Sequence, residues 1–205
     1  MSLVQGYSRR RTRLADSYPL SFHCLLCHGF EEFGVANAAV LADDSSAAAV
    51  DLVAYLAQLT RQTTTNVTIL TNGRPDLEEN SKIVAAKARG FNVDSREIKS
   101  FQSGGSAGSP LAVEFTDGSV ARFGFVVHHP RTILRGPFAQ QLGLEITSAG
   151  DILVWGMFQE TSKRGVFAAG DCATPLKQVA IGMGAAVTAG IGANSQIVQE
   201  DIARW

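Results

Sequence analysis

One stretch of the sequence, residues 36–71, constrains the fold more than any other. Ala36 to Ala42 is a run of small apolar residues typical of a buried strand, and a second buried strand is predicted over Val67–Thr71. Between them, apolar residues recur at helical spacing: Ala49, Leu52, Val53, Leu56 and Leu59. A strand, a helix and a strand in this order form a βαβ unit, which implies a parallel sheet with a right-handed crossover.

The next sixty residues add a helix, a hairpin and a returning strand. Lys82–Arg89 is predicted as a short helix, and Asp117-Gly118 is a strong hairpin signal between two apolar runs, Leu111–Thr116 and Ser119–Phe123. Phe125 to Val127 is a further buried strand. Shorter strands are predicted at Phe91–Val93 and Glu97–Phe101. This order predicts an α/β fold with a Rossmann-like domain of three layers.

Composition excludes several classes of protein. The chain has 205 residues and a net charge of −1, so it lacks the basic surface expected of a nucleic-acid-binding protein. It has no run of 18 apolar residues, and no N-terminal apolar segment of the signal-peptide type, which predicts no membrane contact. Three cysteines are too few for a secreted disulfide framework. We therefore expect a cytoplasmic protein whose cysteines serve redox or metal chemistry.

A CxxC motif, Cys24-Leu25-Leu26-Cys27, is followed directly by His28. Such a pair forms a readily reduced disulfide or half of a zinc site. A neighbouring histidine lowers a thiol pKa or carries its proton. His23 and Cys24 are adjacent and cannot easily share one tetrahedron, while His128 and His129 are predicted near solvent at a strand end. The sequence therefore favours dithiol chemistry and predicts no metal site.

The last third carries the most specific string, Thr161–Asp171. A buried strand is predicted over Val166–Ala169, so that Gly170 permits close backbone approach and Asp171 places a carboxylate at the strand's carboxyl end. Ligands bind there in open α/β sheets, and a carboxylate suits a polyol hydroxyl. A long buried helix is predicted to follow, opened by Gln178-Val179-Ala180, with N–H groups that favour an electron-rich ligand.

The two motifs together resemble the thioredoxin reductase family. Thr161–Asp171 with Gln178, Val179 and Ala180 resembles its C-terminal FAD signature, and Cys24–His28 resembles its redox-active disulfide. The resemblance covers residues 22–200. It is closest to the fungal thioredoxin-reductase-like enzymes, which include the dithiol oxidases of secondary-metabolite clusters.

The resemblance implies a role for each of these residues. Cys24 and Cys27 would be the redox pair, with Cys27 nearer the flavin, and His28 would move the proton, with His23 as the alternative. The FAD contacts would come from Gly170, Asp171, Gln178, Val179 and Ala180. The implied substrate is a small dithiol or disulfide, or a thioredoxin-like protein, and the full-length family members imply a homodimer. The implied domains are a lead-in (1–20), the CxxC with an NADPH-type domain (21–132) and a C-terminal FAD segment (133–205).

Two departures from the family pattern change the expected function. No G-x-G-x-x-G loop precedes the CxxC, so we expect a partial FAD site, owing to truncation or to a partner that supplies the rest. The loop Ala42–Ala47 has no glycine and carries Asp43 and Asp44, which argues against an NADPH pyrophosphate site. A dithiol oxidase that passes electrons to oxygen would need no NADPH.

The sequence thus predicts an FAD-dependent thiol–disulfide oxidoreductase of fungal secondary metabolism. Two alternatives stay open: an inactive remnant that keeps the fold, and a binding subunit that needs a partner for its FAD site.

Overall fold

The computed structural model describes residues 3–4, 21–22, 24–25, 31–42, 47–102, 110–129 and 132–205. The chain divides into two compact units. One spans Gln5–Arg131, and the other comprises Met1–Val4 with Thr132–Trp205.

The unit Gln5–Arg131 is built around strands and helices in βαβ order. Its strands are β2 (Ser21–Phe22), β3 (Ala38–Leu41), β4 (Val67–Leu70), β5 (Asn92–Asp94), β6 (Ile98–Gln102), β7 (Leu111–Phe115), β8 (Val120–Phe123) and β9 (Phe125–His128). Its helices are α1 (Ala47–Thr60), α2 (Pro75–Glu78) and α3 (Ser81–Ala88). The predicted strand–helix–strand unit over residues 36–71 is confirmed.

Five of these strands form one parallel sheet in the order β2-β9-β3-β4-β5. The central strand β3 pairs with β4 on one side, where Ala38 lies opposite Val67. On its other side it pairs with β9, where Ala38 lies opposite Phe125. Because all five strands run the same way, their carboxyl ends meet at one edge of the sheet.

Alternate residues of a strand lie on opposite faces of the sheet, so those of the parallel sheet pack into two separate cores. Ala38 and Val40 of β3 pack with the helices, in a cluster that includes Val53 and Ile83. Their neighbours Ala39 and Leu41 face a second, three-stranded antiparallel sheet of β6, β7 and β8. Helices, parallel sheet and antiparallel sheet therefore make three layers, and the predicted α/β fold class is confirmed.

The local signals in this unit are also confirmed. Strands β7 and β8 pair antiparallel across the Asp117-Gly118 turn, where Gly118 has a φ of +83°. The Asp117 carboxylate accepts a hydrogen bond from the Ser119 backbone N–H at 2.8 Å. Helix α3 is capped by the Asn80 side chain, which accepts from the Lys82 N–H.

The second unit has fewer and shorter strands. It contains β1 (Leu3–Val4) paired antiparallel with β10 (Thr132–Ile133), helix α4 (Phe138–Gln141), the pair β11 (Val154–Trp155) and β12 (Glu160–Thr161), a 3₁₀ turn at Gly170–Cys172, and helix α5 (Val179–Ile202). The long helix is present where the sequence predicts it.

Two predictions for this unit are wrong. Val166–Ala169 is not a strand, since only Phe167 makes a single β-bridge, to Glu160. Helix α5 is not buried, because Gly192 is its one buried residue among those the structure describes. The composition of the segment predicted the helix correctly, but composition does not report whether another element covers the helix.

Candidate functional site

The CxxC motif follows directly on β2, the edge strand of the parallel sheet. Cys24 is half-buried and disulfide-bonded, whereas Cys172 is a free thiol. Leu25, next in the chain, is buried in the helix-side core and so anchors the start of the motif. Cys27, His28 and His23 lie outside the described residues.

A histidine lies at the same edge of the sheet. His128 ends β9, which pairs with β2, and the His128 Nδ1 is 3.2 Å from the Ser21 Oγ. His128 is only 8% exposed, so the prediction that it lies near solvent is wrong, while His129 is exposed. The sequence does not show that β9 is an interior strand of the sheet, flanked by β2 and β3, with Leu41 opposite His128.

At the same edge of the sheet, the chain leaves β4 and enters a polar turn. Thr71 is fully buried, and no partner for its Oγ1 is found in the described part of the chain. Arg74 forms an ion pair with Asp76, with the Arg74 Nε 3.1 Å from the Asp76 Oδ1. The hydrogen bond from Arg74 lowers the pKa of the Asp76 carboxyl. The loop residues 43–46, on which the NADPH prediction depends, lie outside the described residues.

The second unit presents the predicted Gly170–Asp171 turn. Gly170 has a φ of +80°, and a Cβ placed on it would meet nothing within 4 Å, so its backbone is open to a close ligand. Asp171 is exposed, and within the described residues its carboxylate has no hydrogen-bond or ion-pair partner. Cys172 donates from its Sγ to the Ala169 carbonyl at 3.3 Å.

The first turn of α5 lies against this turn. Gln178 is the N-cap residue without a side-chain cap bond, and the exposed residues Val179 and Ala180 begin the helix. A Cβ on Gly182 would lie 3.5 Å from the Gly170 Cα, which shows how closely the two segments approach. The first turn carries no acidic residue, so the positive end of the helix dipole stays uncompensated there. The structure therefore brings the five predicted FAD residues together.

A charged pair that the sequence reasoning missed holds this turn. The Lys177 Nζ lies 2.8 Å from the Asp151 Oδ1, 2.6 Å from the Asp171 carbonyl and 3.0 Å from the Thr174 carbonyl. A signal was available, since Lys177 is the one charged residue between Asp171 and Glu200. Its partner was not predictable, because Asp151 lies 26 positions away in the chain.

The described residues contain no group of three or more histidine, cysteine or acidic side chains placed to hold a metal ion. Within the same residues, no helix is both long enough and apolar enough to cross a bilayer.

Comparisons with known proteins place this chain among redox proteins. It is 40% identical over 203 residues to the thioredoxin reductase sirT of Leptosphaeria maculans, which covers 98% of this chain and 60% of that protein. It is 36% identical over 180 residues to a thioredoxin reductase of Gibberella zeae, covering 86% of this chain and 52% of that protein. No known family profile matches.

Solved structures show the same fold. HlmI aligns with a TM-score of 0.71 and 28% identity, covering 95% of this chain and 59% of that one. A putative thioredoxin reductase TrxB from Bacillus anthracis aligns with a TM-score of 0.73 and 23% identity over 90% of this chain and 61% of that one. This chain spans about 60% of the length of the first of these relatives.

Proposed function

Because this chain is homologous to the fungal thioredoxin reductases, and so belongs to the thioredoxin reductase family, we propose that it is an FAD-dependent thiol–disulfide oxidoreductase. The observation that carries the proposal is 40% identity over 203 residues to a protein of that name. The redox pair in this proposal is Cys24 and Cys27. Since the chain spans only part of its relatives, the activity of the whole protein is itself part of the proposal.

The residues present fit part of an FAD molecule. Asp171 has an exposed carboxylate for a ribityl hydroxyl, and Gly170 leaves its backbone open beside it. The start of α5, at Gln178, Val179 and Ala180, offers the positive end of a helix to the electron-rich edge of the ring. Bound FAD would supply a carrier for two electrons. The described residues would contribute contacts to its ribityl and ring portion.

The cysteine pair performs the exchange with substrate in this proposal. A substrate thiolate attacks the disulfide of Cys24, its S–S bond breaks, and a mixed disulfide forms. The second substrate thiolate then attacks that mixed disulfide, which releases oxidised substrate and leaves both protein thiols reduced. His28 accepts and returns the protons that accompany the two electrons.

We propose the oxidising direction, in fungal secondary metabolism, with molecular oxygen as the final acceptor. The support is the loop Ala42–Ala47, which lacks glycine and carries Asp43 and Asp44 where a pyrophosphate would bind. A small dithiol is then the substrate. A disulfide or a thioredoxin-like protein would be the substrate in the reducing direction. A homodimer and a cytoplasmic location complete the proposal.

A second candidate function rests on the exposed face of α5. In a binding subunit, the chain would hold flavin only after another polypeptide completed the site, whereas an inactive remnant would keep the fold without activity. The exposed apolar side chains of α5 favour this candidate, because such a surface marks an interaction site when it is continuous.

The test is purification of the full chain with and without added FAD. The proposal expects the visible absorbance of oxidised flavin to co-elute with the protein and to bleach when a dithiol is added without oxygen. Cys24→Ser should abolish the bleaching and keep the flavin, while Cys172→Ser, which removes the free thiol, should leave both unchanged. Flavin that never binds would contradict independent catalysis and favour the second candidate.

A further inference from the structure

We propose that Lys177 is a positioning residue, which fixes the Gly170–Asp171 turn so that the Asp171 carboxylate can bind a hydroxyl of a polyol ligand. The inference rests on the proposed function, since the polyol in question is the ribityl chain of a flavin. Neither the family resemblance nor the comparisons assign a role to Lys177.

The geometry around the Lys177 ammonium leaves it no donor for a ligand. An ammonium group has three N–H donors. All three acceptors lie within the same unit: the Asp151 Oδ1 at 2.8 Å, the Asp171 carbonyl at 2.6 Å and the Thr174 carbonyl at 3.0 Å. Lys177 therefore binds the backbone carbonyls of the turn, and its ammonium group has no N–H left to contact a substrate.

The other end of this contact is a rigid anchor. The Asp151 side chain is only 8% exposed, and that of Lys177 is 20% exposed, so water competes little for the pair. The Asp151 N–H donates to the Thr147 Oγ1 at 3.1 Å. The next residue, Ile152, donates its N–H to the Cys172 carbonyl at 2.7 Å. The 3₁₀ turn is thus tied to the 151–152 segment twice, once by backbone and once through Lys177.

The backbone carbonyl and the side-chain carboxylate of Asp171 differ in their contacts. Its backbone carbonyl is bound by Lys177, whereas its exposed carboxylate has no partner within the described part of the chain. A fixed backbone with an unpaired carboxylate is the arrangement that a polyol site requires, because the acceptor is pre-positioned before the ligand arrives.

The experiment compares Lys177→Met with Asp171→Ala in the full chain, with two flavins as probes. One is FAD, which carries the ribityl chain, and the other is lumiflavin, which has the ring alone. Lys177→Met should weaken FAD binding by about tenfold to a hundredfold, the contribution of one hydrogen bond to a charged group, and leave lumiflavin binding unchanged. Quenching of flavin fluorescence measures both affinities.

A double variant shows whether Lys177 acts through Asp171. In the Asp171→Ala background, Lys177→Met should cause no further loss of FAD affinity, because the carboxylate it positions is gone. Arg135→Met, at an exposed basic residue of the same unit outside the Thr161–Asp171 string, is the control and should bind FAD as the parent does. Lys177→Met combined with Asp151→Asn avoids leaving a buried unpaired carboxylate and tests the same loss if the single variant folds poorly.

Hydrogen exchange at residues 170–178 separates the two ways in which the idea can fail. Lys177→Met should speed exchange there while the rest of the unit is unchanged, and unchanged exchange would overturn the inference itself. Equal loss of FAD and lumiflavin binding, or additive losses in the double variant, would also overturn it. If exchange speeds up but the parent binds no FAD, the proposed flavin function is overturned, and the polyol role of Lys177 with it.

Discussion

The two units of this chain differ in how they are held together. The unit Gln5–Arg131 buries apolar side chains on both faces of its parallel sheet, in two clusters. In the described part of the other unit, the buried hydrophobic residues are Ala139 and Ala168. Its longest element, α5, instead exposes a row at four-residue spacing: Val179, Met183, Val187 and Ile191.

The comparison shows that a segment can form regular secondary structure without contributing to a hydrophobic core. Helix α5 satisfies its backbone hydrogen bonds internally over 24 residues although only Gly192 among them is buried, and its four glycines lower its helix propensity. Hydrophobic burial scales with the apolar area removed from water, and it stabilises the first unit. The second unit depends more on polar contacts such as the Lys177–Asp151 pair.

The largest expected effect comes from removing a phenyl ring in each unit. Phe125 of β9 is 0% exposed, and Phe125→Ala should lower the free energy of unfolding by about 3–5 kcal/mol through the cavity it leaves. Phe138 of α4 is 72% exposed, and Phe138→Ala should change it by less than about 0.5 kcal/mol. Urea unfolding measures both, and equal losses would show that the units do not differ as described.

A smaller effect should appear along α5, where one glycine is packed and another is open. A Cβ on Gly192 would lie 2.6 Å from the Phe158 Cβ. Gly192→Ala should therefore lower the free energy of unfolding by about 1–3 kcal/mol. A Cβ on Gly184 would meet nothing within 4 Å, so Gly184→Ala should stabilise the helix by up to about 1 kcal/mol. Thermal unfolding followed by circular dichroism checks the opposite signs; stabilisation by both would mean that α5 does not pack on Phe158.

Substitutions at the N-caps of α3 and α5 should show a still smaller difference in stability. Asn80 caps α3 by accepting from the Lys82 N–H at 2.9 Å, and Asn80→Ala should cost about 1 kcal/mol. Gln178 at the start of α5 makes no side-chain cap bond, so Gln178→Ala should leave stability within about 0.5 kcal/mol of the parent. Unfolding midpoints of the two variants measure this, and a comparable loss from Gln178→Ala would reveal a cap in the second unit.

The smallest effect is a pH dependence in the first unit. Hydrogen bonds from Arg96 lower the pKa of the Asp94 carboxyl below its ordinary value, and the Arg96 Nε lies 2.9 Å from the Asp94 Oδ1. A lowered folded-state pKa contributes stability above the unfolded pKa of about 3.9, and the contribution is lost as the pH falls through the folded value. At pH 7 the free energy of unfolding of the parent should exceed that of Asp94→Asn by about 1 kcal/mol or less. The two free energies should converge below pH ~4.

Urea unfolding across this pH range tests the expectation. Arg96→Gln removes the same pair from the other side, so it should show the same weakened dependence. If the difference between parent and Asp94→Asn grew as the pH fell, the sign of the shift would be wrong.

The sequence was most informative where the signal is local. The βαβ period over residues 36–71, the Asp117-Gly118 turn and the start of α5 at Gln178 each depend on neighbouring residues, and the structure contains all three. The string Val166–Ala169 misled because apolar runs of four residues are compatible with several backbone conformations. The roles of Cys24, Cys27 and His28 remain predictions, and the last two lie outside the described residues.

The sequence by itself determined the fold class, the family resemblance and the grouping of Gly170, Asp171 and Gln178. These follow from periodicity, turn chemistry and motif spacing, which a linear chain displays directly. Only the tertiary structure decided that His128 is buried, that α5 is exposed and that Lys177 pairs with Asp151. Each of these depends on which distant segment lies beside a residue, and neighbours in space are set by the path of the chain through the fold.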